Sequence, residues 1–128
     1  MTFSCITEDD YFSPPSYYEL VESFGVEIIA STAEGSYNGD YFFILKRGNE
    51  YGYLAFGYGS CSGCDRLKAC RSEAAVLKLR DALFNSIQWS DGKENFVEWL
   101  RDRDWQSQFS APYEQHYEFI KRVVKELG

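Results

Sequence analysis

The chain has 128 residues, of which 18% are aromatic, and a net charge of −7. One compact domain spanning residues 1–128 is expected at this length, and the apolar content excludes an intrinsically disordered chain. No apolar run reaches the roughly 18 residues of a membrane helix, and the acidic first ten residues do not resemble a signal peptide. We therefore expect a cytoplasmic protein that does not bind membranes and keeps its cysteines reduced.

The first half of the chain is expected to form an extended arm at residues 1–12, then a helix and a three-stranded antiparallel meander. Pro14 and Pro15 are typical of a first helical turn. Apolar residues then follow at helical spacing, before a glycine that would end the helix: Tyr17, Leu20, Val21, Phe24 and Gly25. Three β-prone runs come next, joined by an Asn-Gly turn and a turn at residues 47–50: residues 26–33, 41–46 and 51–56.

A glycine- and cysteine-rich segment follows at residues 57–70, which we call the cysteine loop. After it, a helix over residues 73–86 would bury one stripe of side chains: Val76, Leu79, Leu83 and Ile87. A short extended piece at residues 87–89 precedes a third helix, for which Asp91 and Glu94 form a capping-box pattern.

The last helix is expected to begin near Pro112 and to keep one face apolar through Tyr113, Tyr117, Ile120, Val124 and Leu127. The order of elements is a helix, three strands and three helices. This order predicts an α+β domain whose helices pack on one face of an antiparallel sheet.

Acidic residues dominate the start of the chain. The first 45 residues contain eight acidic residues and no basic one, whereas the remainder contains twelve acidic and thirteen basic residues. This asymmetry disfavours direct nucleic-acid binding there and permits a basic partner, including a protein surface that normally holds nucleic acid. The acids expected to contact that partner are Glu8, Asp9, Asp10, Glu19, Glu22 and Asp40. The alternative is that they keep an aromatic-rich protein soluble.

Cys61 and Cys64 have the two-residue spacing that lets two thiolates reach one tetrahedral metal ion. Cys70 is a candidate third ligand, and His116 or Cys5 is a candidate fourth if the fold brings either one near. The sequence has no second close cysteine pair, so zinc remains one interpretation and the absence of any cofactor is another.

The same loop supports two further interpretations. A thiol nucleophile at Cys61 or Cys64 would make the protein an enzyme, although Asp65 would disfavour thiolate formation. Alternatively, the loop is a glycine-rich turn whose cysteines are small, half-buried side chains. His116 is the only histidine and is expected to lie on the solvated side of the last helix. No catalytic motif accompanies it, and the balance favours a protein without catalytic activity.

Tyrosines concentrate on the expected sheet and its loops. Tyrosine is common at protein interfaces because it combines contact area with a polar tip. The candidate anchors for a partner are therefore Tyr37, Tyr41 and Tyr58. The alternative is that cross-strand tyrosine pairs stabilise the sheet.

The run Gly-Tyr-Gly-Ser-Cys-Ser-Gly-Cys-Asp at residues 57–65, together with the Asn-Gly-Asp turn at residues 38–40, resembles a group of small uncharacterised proteins of bacteriophages, prophages and some bacteria. The likeness extends over residues 17–105 and includes the two strands between these motifs. The resemblance implies a phage or prophage context and brings no catalytic residues with it. Acidic accessory proteins of phages also resemble inhibitors of host defence in their general character.

These observations predict a non-enzymatic, acidic binding protein of phage or prophage origin. Its expected partner is a host protein in the host cytoplasm, for which a nucleic-acid-binding defence effector is one candidate. A small zinc-supported domain built on Cys61, Cys64 and Cys70 is the second hypothesis. An enzyme with a thiol nucleophile is the third.

Overall fold

The computed structural model describes residues 14–35, 39–59, 65–103 and 114–128. Its elements follow the chain as α1 (Tyr17–Glu22), β1 (Glu27–Gly35), β2 (Gly39–Arg47), β3 (Glu50–Tyr58), α2 (Glu73–Asn85), β4 (Gln88–Asp91), α3 (Lys93–Asp102) and α4 (Glu114–Leu127). The predicted α+β class is confirmed. None of the helices in the described part of the chain has the length and hydropathy that a membrane crossing requires.

Among the residues that the structure describes, the sheet contains four antiparallel strands in the order β1-β2-β3-β4, rather than the predicted three. The added strand is the short extended piece after α2, which pairs with the start of β3 so that Gly52 lies opposite Trp89. Gly52 makes this pairing close, because a Cβ there would lie 2.7 Å from Ile87 Cγ2 and 2.8 Å from Trp89 Cε3. β4 is therefore held against β3 by side-chain packing as well as by backbone hydrogen bonds.

Helices cover both faces of the sheet, so the prediction that they pack on one face is wrong. The first core cluster joins α1 and α2 to one face, and its sheet residues are Phe43, Leu45, Leu54 and Phe56. The second core cluster joins α3 and α4 to the opposite face, and its sheet residues are Phe42, Ile44, Tyr51 and Tyr53. The physical reason is that β2 and β3 carry apolar side chains on both faces, and each face must be shielded from water.

A local capping box explains the start of α1, and a contact from α2 lies at its end. Ser16 caps the helix by accepting from the Glu19 backbone N–H, and the Glu19 carboxylate accepts from the Ser16 N–H. The two prolines therefore precede the cap instead of occupying the first turn as predicted. At the other end, Arg80 of α2 donates to the Ser23 carbonyl at 2.8 Å and ties α1 to α2.

Two predictions for the last two helices are wrong. Helix α3 begins at Lys93, and Gly92 before it makes no side-chain capping bond. Asp91, which the capping-box pattern predicts as the cap, is instead the final residue of β4. In α4 the buried residues include His116, Phe119, Ile120 and Val123, whereas Tyr117 is 43% exposed. The buried face of α4 is thus rotated by about one residue from the predicted one.

Candidate functional site

Asp65 is the centre of the hydrogen bonds at the base of the cysteine loop. Its side chain is only 4% exposed and accepts a bond of 2.8 Å from the Gly59 backbone N–H. It also accepts from the backbone N–H groups of Leu67 and Lys68 at 2.9 and 3.0 Å. The Tyr17 hydroxyl donates a fourth bond of 2.8 Å. One carboxylate therefore joins the chain before residues 60–64, the chain after them and helix α1.

These bonds keep the buried carboxylate ionised. Burial by itself would raise the pKa of Asp65, but the donors at Gly59, Lys68, Tyr17 and Leu67 lower this pKa below its ordinary value. The pKa of the neighbouring Tyr17 hydroxyl shifts in the opposite direction. Burial and the hydrogen bond to Asp65 raise the pKa of Tyr17, so its phenol stays protonated and acts as a donor.

Two of the predicted anchor tyrosines lie beside this network. Tyr41 and Tyr58 are half-buried, with ring centroids 4.8 Å apart, and Tyr41 also packs 5.5 Å from Tyr17. Burial is the main cause that raises the pKa of Tyr41, followed by its neighbours Tyr58 and Asp65. Only part of each ring is therefore available to a partner, and the rest of it supports the first core cluster.

Cys70 belongs to the same core cluster and is buried. Its thiol donates to the Arg66 carbonyl at 3.4 Å, and burial raises the thiol pKa, with a smaller contribution from Asp65. Cys61, Cys64 and Cys5 lie outside the described residues, so zinc at the cysteine loop remains a prediction. Within the described ranges, no three potential ligands gather in one place.

His116 lies on the opposite face of the sheet from Cys70, which removes it as a fourth ligand of a set containing that thiol. The predicted solvated position of His116 is also wrong, since its side chain is only 2% exposed. The ring lies 4.1 Å from that of Phe42, and its Nε2 shares a hydrogen bond of 3.1 Å with the Tyr53 hydroxyl. Burial lowers the pKa of His116 to about 4 and raises that of Tyr53, so both are neutral near pH 7.

The acidic candidates that the structure describes lie on α1 and at the start of β2. Glu19 and Glu22 are exposed on α1, and Glu27 is exposed at the start of β1. Glu27 lies directly opposite Lys46 of β2, whose ammonium lies over Tyr51 on the face of the sheet away from α1, so only Glu19 and Glu22 are called the acidic surface. Asp40 is half-buried at the start of β2, and its charge contributes to the raised pKa of Tyr53. Glu8, Asp9, Asp10 and Tyr37 lie outside the described residues.

An exposed aromatic ring accompanies the acidic surface. Tyr18 precedes Glu19 on α1 and is 47% exposed, while its ring centroid lies 6.2 Å from that of Phe43. Sequence reasoning did not select Tyr18, because it falls off the apolar stripe of a helix that is short. The available signal was its residue type on the polar side of the helix, since tyrosine is enriched at protein interfaces.

Sequence reasoning also missed the role of Asp65. An aspartate whose side chain accepts the N–H groups two and three residues ahead is the usual start of a turn, and the pattern Asp-Arg-Leu-Lys at residues 65–68 has that form. The contact with Tyr17 has no comparable signal because 48 residues separate the two.

Comparisons with protein-family models, with curated proteins and with solved structures found no match to this chain. The function is therefore argued from the residues themselves.

Proposed function

We propose that this chain is a non-enzymatic binding protein that holds a basic surface of a partner protein against its acidic surface. The observation that carries the proposal is that Glu19 and Glu22 are exposed on α1, in the described chain before Lys46 that contains no basic residue in sequence. Exposed acidic side chains attract a partner of opposite charge and speed its association.

Three further features support the proposal. The titratable groups that burial perturbs, Asp65, Tyr17 and His116, are engaged with other protein groups inside the fold. Cys70 has a raised thiol pKa, which is the opposite of what a nucleophilic thiol requires, while the candidate nucleophiles Cys61 and Cys64 lie outside the described residues. Tyr18 adds an aromatic contact on the acidic surface, as interface centres commonly do.

The resemblance to phage and prophage proteins adds a biological setting to the proposal. The partner is then a host protein in the host cytoplasm, and a defence effector that binds nucleic acid has the basic surface that this site would recognise. An acidic inhibitor of this kind would occupy the surface that normally contacts phosphates.

The proposal is tested with variants that remove charge without disturbing α1. Glu19→Gln and Glu22→Gln together neutralise the helix, and glutamine at position 19 retains the capping bond to Ser16. The matched control is Glu94→Gln with Glu98→Gln, which neutralises two exposed acids of α3. Host proteins retained by each immobilised variant are identified by mass spectrometry at low and high salt.

We expect wild-type protein and the α3 control to retain the same basic host protein at low salt and to release it at high salt, because screening weakens exposed charge pairs. The α1 variant should lose it even at low salt. Equal retention by all three proteins, or retention that salt does not change, would contradict the proposal.

A further inference from the structure

Tyr18 and Glu22 lie one helical turn apart on the exposed side of α1. Tyr18 is 47% exposed, and its ring centroid lies 6.2 Å from that of the fully buried Phe43. Glu22 is exposed as well, and residues four positions apart on a helix are neighbours on its surface. Helix α1 therefore presents an aromatic ring that is backed by the core of the sheet, with a carboxylate beside it.

No cation from the described part of the chain lies over the Tyr18 ring or pairs with Glu22. Arg80, which reaches the end of α1, donates to the hydroxyl and carbonyl oxygens of Ser23 and pairs with Asp81. Glu22 is also the final residue of a helix whose last turn has no basic residue, and the helix dipole favours a cation at that end. An external cation would therefore be stabilised beside Glu22.

The other exposed tyrosine of the described chain shows a different arrangement. Tyr117 on α4 is 43% exposed, and Lys121, four residues later, places its Nζ 4.6 Å from the ring centroid. The same spacing on α1 joins Tyr18 to a carboxylate instead of an ammonium. The Tyr117 ring is thus covered by a cation of its own chain, whereas the Tyr18 ring is available to a cation from outside.

The sheet contains an example of a cation held by a ring and a carboxylate together. The Arg47 guanidinium lies 4.3 Å from the centroid of the Trp89 ring and donates to Glu50 Oε1 through Nε and Nη2. A guanidinium is planar, so it stacks on a ring while its edge binds a carboxylate. Tyr18 and Glu22 supply the ring and the carboxylate of this arrangement without the cation.

We propose that Tyr18 and Glu22 form a binding site for an arginine side chain of the partner protein, which stacks on the Tyr18 ring and donates to the Glu22 carboxylate. This inference rests on the proposed function, because it names the residue type by which the basic partner is held. A lysine ammonium is a strongly hydrated point charge and gains less from the same pair. A second copy of the chain is disfavoured as the occupant, since two molecules of net charge −7 repel each other.

The probes are two synthetic peptides in which three arginines or three lysines alternate with glycine. Each is titrated at low salt into isotope-labelled full-length protein, and the affinity and the contacted residues are read from NMR shifts. Tyr18→Leu removes the ring, Tyr18→Phe keeps it, and Glu22→Gln removes the charge without touching the capping box at the start of α1. The matched controls are Tyr117→Leu, at a ring that already carries a lysine, and Glu98→Gln, at an exposed acid of α3.

We expect the arginine peptide to shift the signals of Tyr18 and Glu22. It should bind wild-type protein about two- to fivefold more tightly than the lysine peptide does, which is the range that an exposed cation–aromatic contact supplies. Tyr18→Leu should lose this preference, Tyr18→Phe should keep it, and Glu22→Gln should weaken the binding of both peptides. The two control variants should bind both peptides as the wild-type protein does.

Equal binding of the two peptides to wild-type protein, shifts confined to residues away from α1, or a preference for arginine that survives Tyr18→Leu would overturn the arginine site. So would shifts at Tyr18 that depend on protein concentration alone, because a second copy would then be the occupant. If Tyr18→Leu does not fold, the comparison of the two peptides on wild-type protein and on Glu22→Gln still decides.

The proposed function is judged separately, by the retention of host proteins. Retention that is lost in the Glu19→Gln and Glu22→Gln variant but kept by Tyr18→Leu would leave the proposed function standing and overturn the arginine site alone. Retention that is lost in neither variant would overturn the proposed function, and the inference that rests on it.

Discussion

The Tyr17 hydroxyl donates a hydrogen bond of 2.8 Å to Asp65 Oδ1 and thereby joins the first helix to the base of the cysteine loop. Because the same carboxylate accepts from Gly59 and Leu67, the geometry of the loop base depends on a residue of α1. Helix α1, which carries Glu19 and Glu22, and the base of the cysteine loop are therefore joined on one side of the sheet.

Replacement of Asp65 should be strongly destabilising. Asp65→Asn loses the charge and one acceptor oxygen, which leaves a buried N–H without its partner, and we expect the free energy of unfolding to fall by about 2–3 kcal/mol. Tyr17→Phe is the milder control, since the carboxylate keeps its three backbone donors. It should cost about 1 kcal/mol in urea unfolding. Equal costs for the two variants would contradict the central role of Asp65.

The effect of Asp65→Asn should also depend on pH. The folded-state pKa of Asp65 is depressed, so its stabilisation is fully present above the unfolded-state pKa of about 3.9 and is lost as pH falls through the folded-state value. Urea unfolding of both proteins at neutral and acidic pH measures this difference. A gap between wild type and variant that stayed constant down to strongly acidic pH would refute the prediction.

Protonation linked to His116 should lower the free energy of unfolding over a higher pH range than the titration of Asp65 does. Its folded-state pKa is about 4 against an ordinary value of 6.5, so the unfolded chain binds a proton first as pH falls. Stability should decrease across that interval, by at most about 1.4 kcal/mol per pH unit for this group. His116→Gln should flatten the stability profile between these two values. Tyr53→Phe is the control that keeps the titrating ring, and an unflattened His116→Gln profile would contradict the assignment.

Gly52 should not tolerate a side chain. Gly52→Ala would place a Cβ against Ile87 and Trp89 and lower the free energy of unfolding by about 1–3 kcal/mol. Gly57→Ala is a matched control in β3, where the nearest atom to a new Cβ is the Gly39 carbonyl oxygen at 3.6 Å. Thermal unfolding of both variants compares the cost of an added Cβ at the two positions. A Tm for Gly52→Ala at or above that of Gly57→Ala would contradict the close pairing of β3 and β4.

Cys70 should be an unreactive thiol in the native protein. Its burial and its raised pKa both reduce the accessible thiolate fraction. We expect iodoacetamide to modify Cys70 much more slowly in native protein than in the same protein unfolded in guanidinium, as quantified by peptide mass spectrometry. Equal rates in the two states would show that the thiol is not protected by the first core cluster.

Local patterns predicted most individual elements. The buried stripe of α2 is confirmed at Val76, Leu79 and Leu83, and the turn between β2 and β3 lies at Gly48, whose φ of +59° explains the glycine. Periodicity and turn chemistry act over a few residues, so a single segment contains the information. Periodicity alone predicts the wrong buried face for α4, because it treats His116 as a polar-face residue. The buried residues His116, Phe119, Ile120 and Val123 nevertheless follow helical spacing.

The sequence by itself determined the α+β class, the approximate strand and helix positions and the concentration of acidic residues at the start of the chain. Tertiary structure decided which face each helix covers, since burying both apolar faces of β2 and β3 needs helices from distant parts of the chain. It also decided the pairing of Tyr17 with Asp65 and of Tyr53 with His116. Contacts across 48 and 63 residues arise only when the packed core brings the partners together, and no local pattern encodes them.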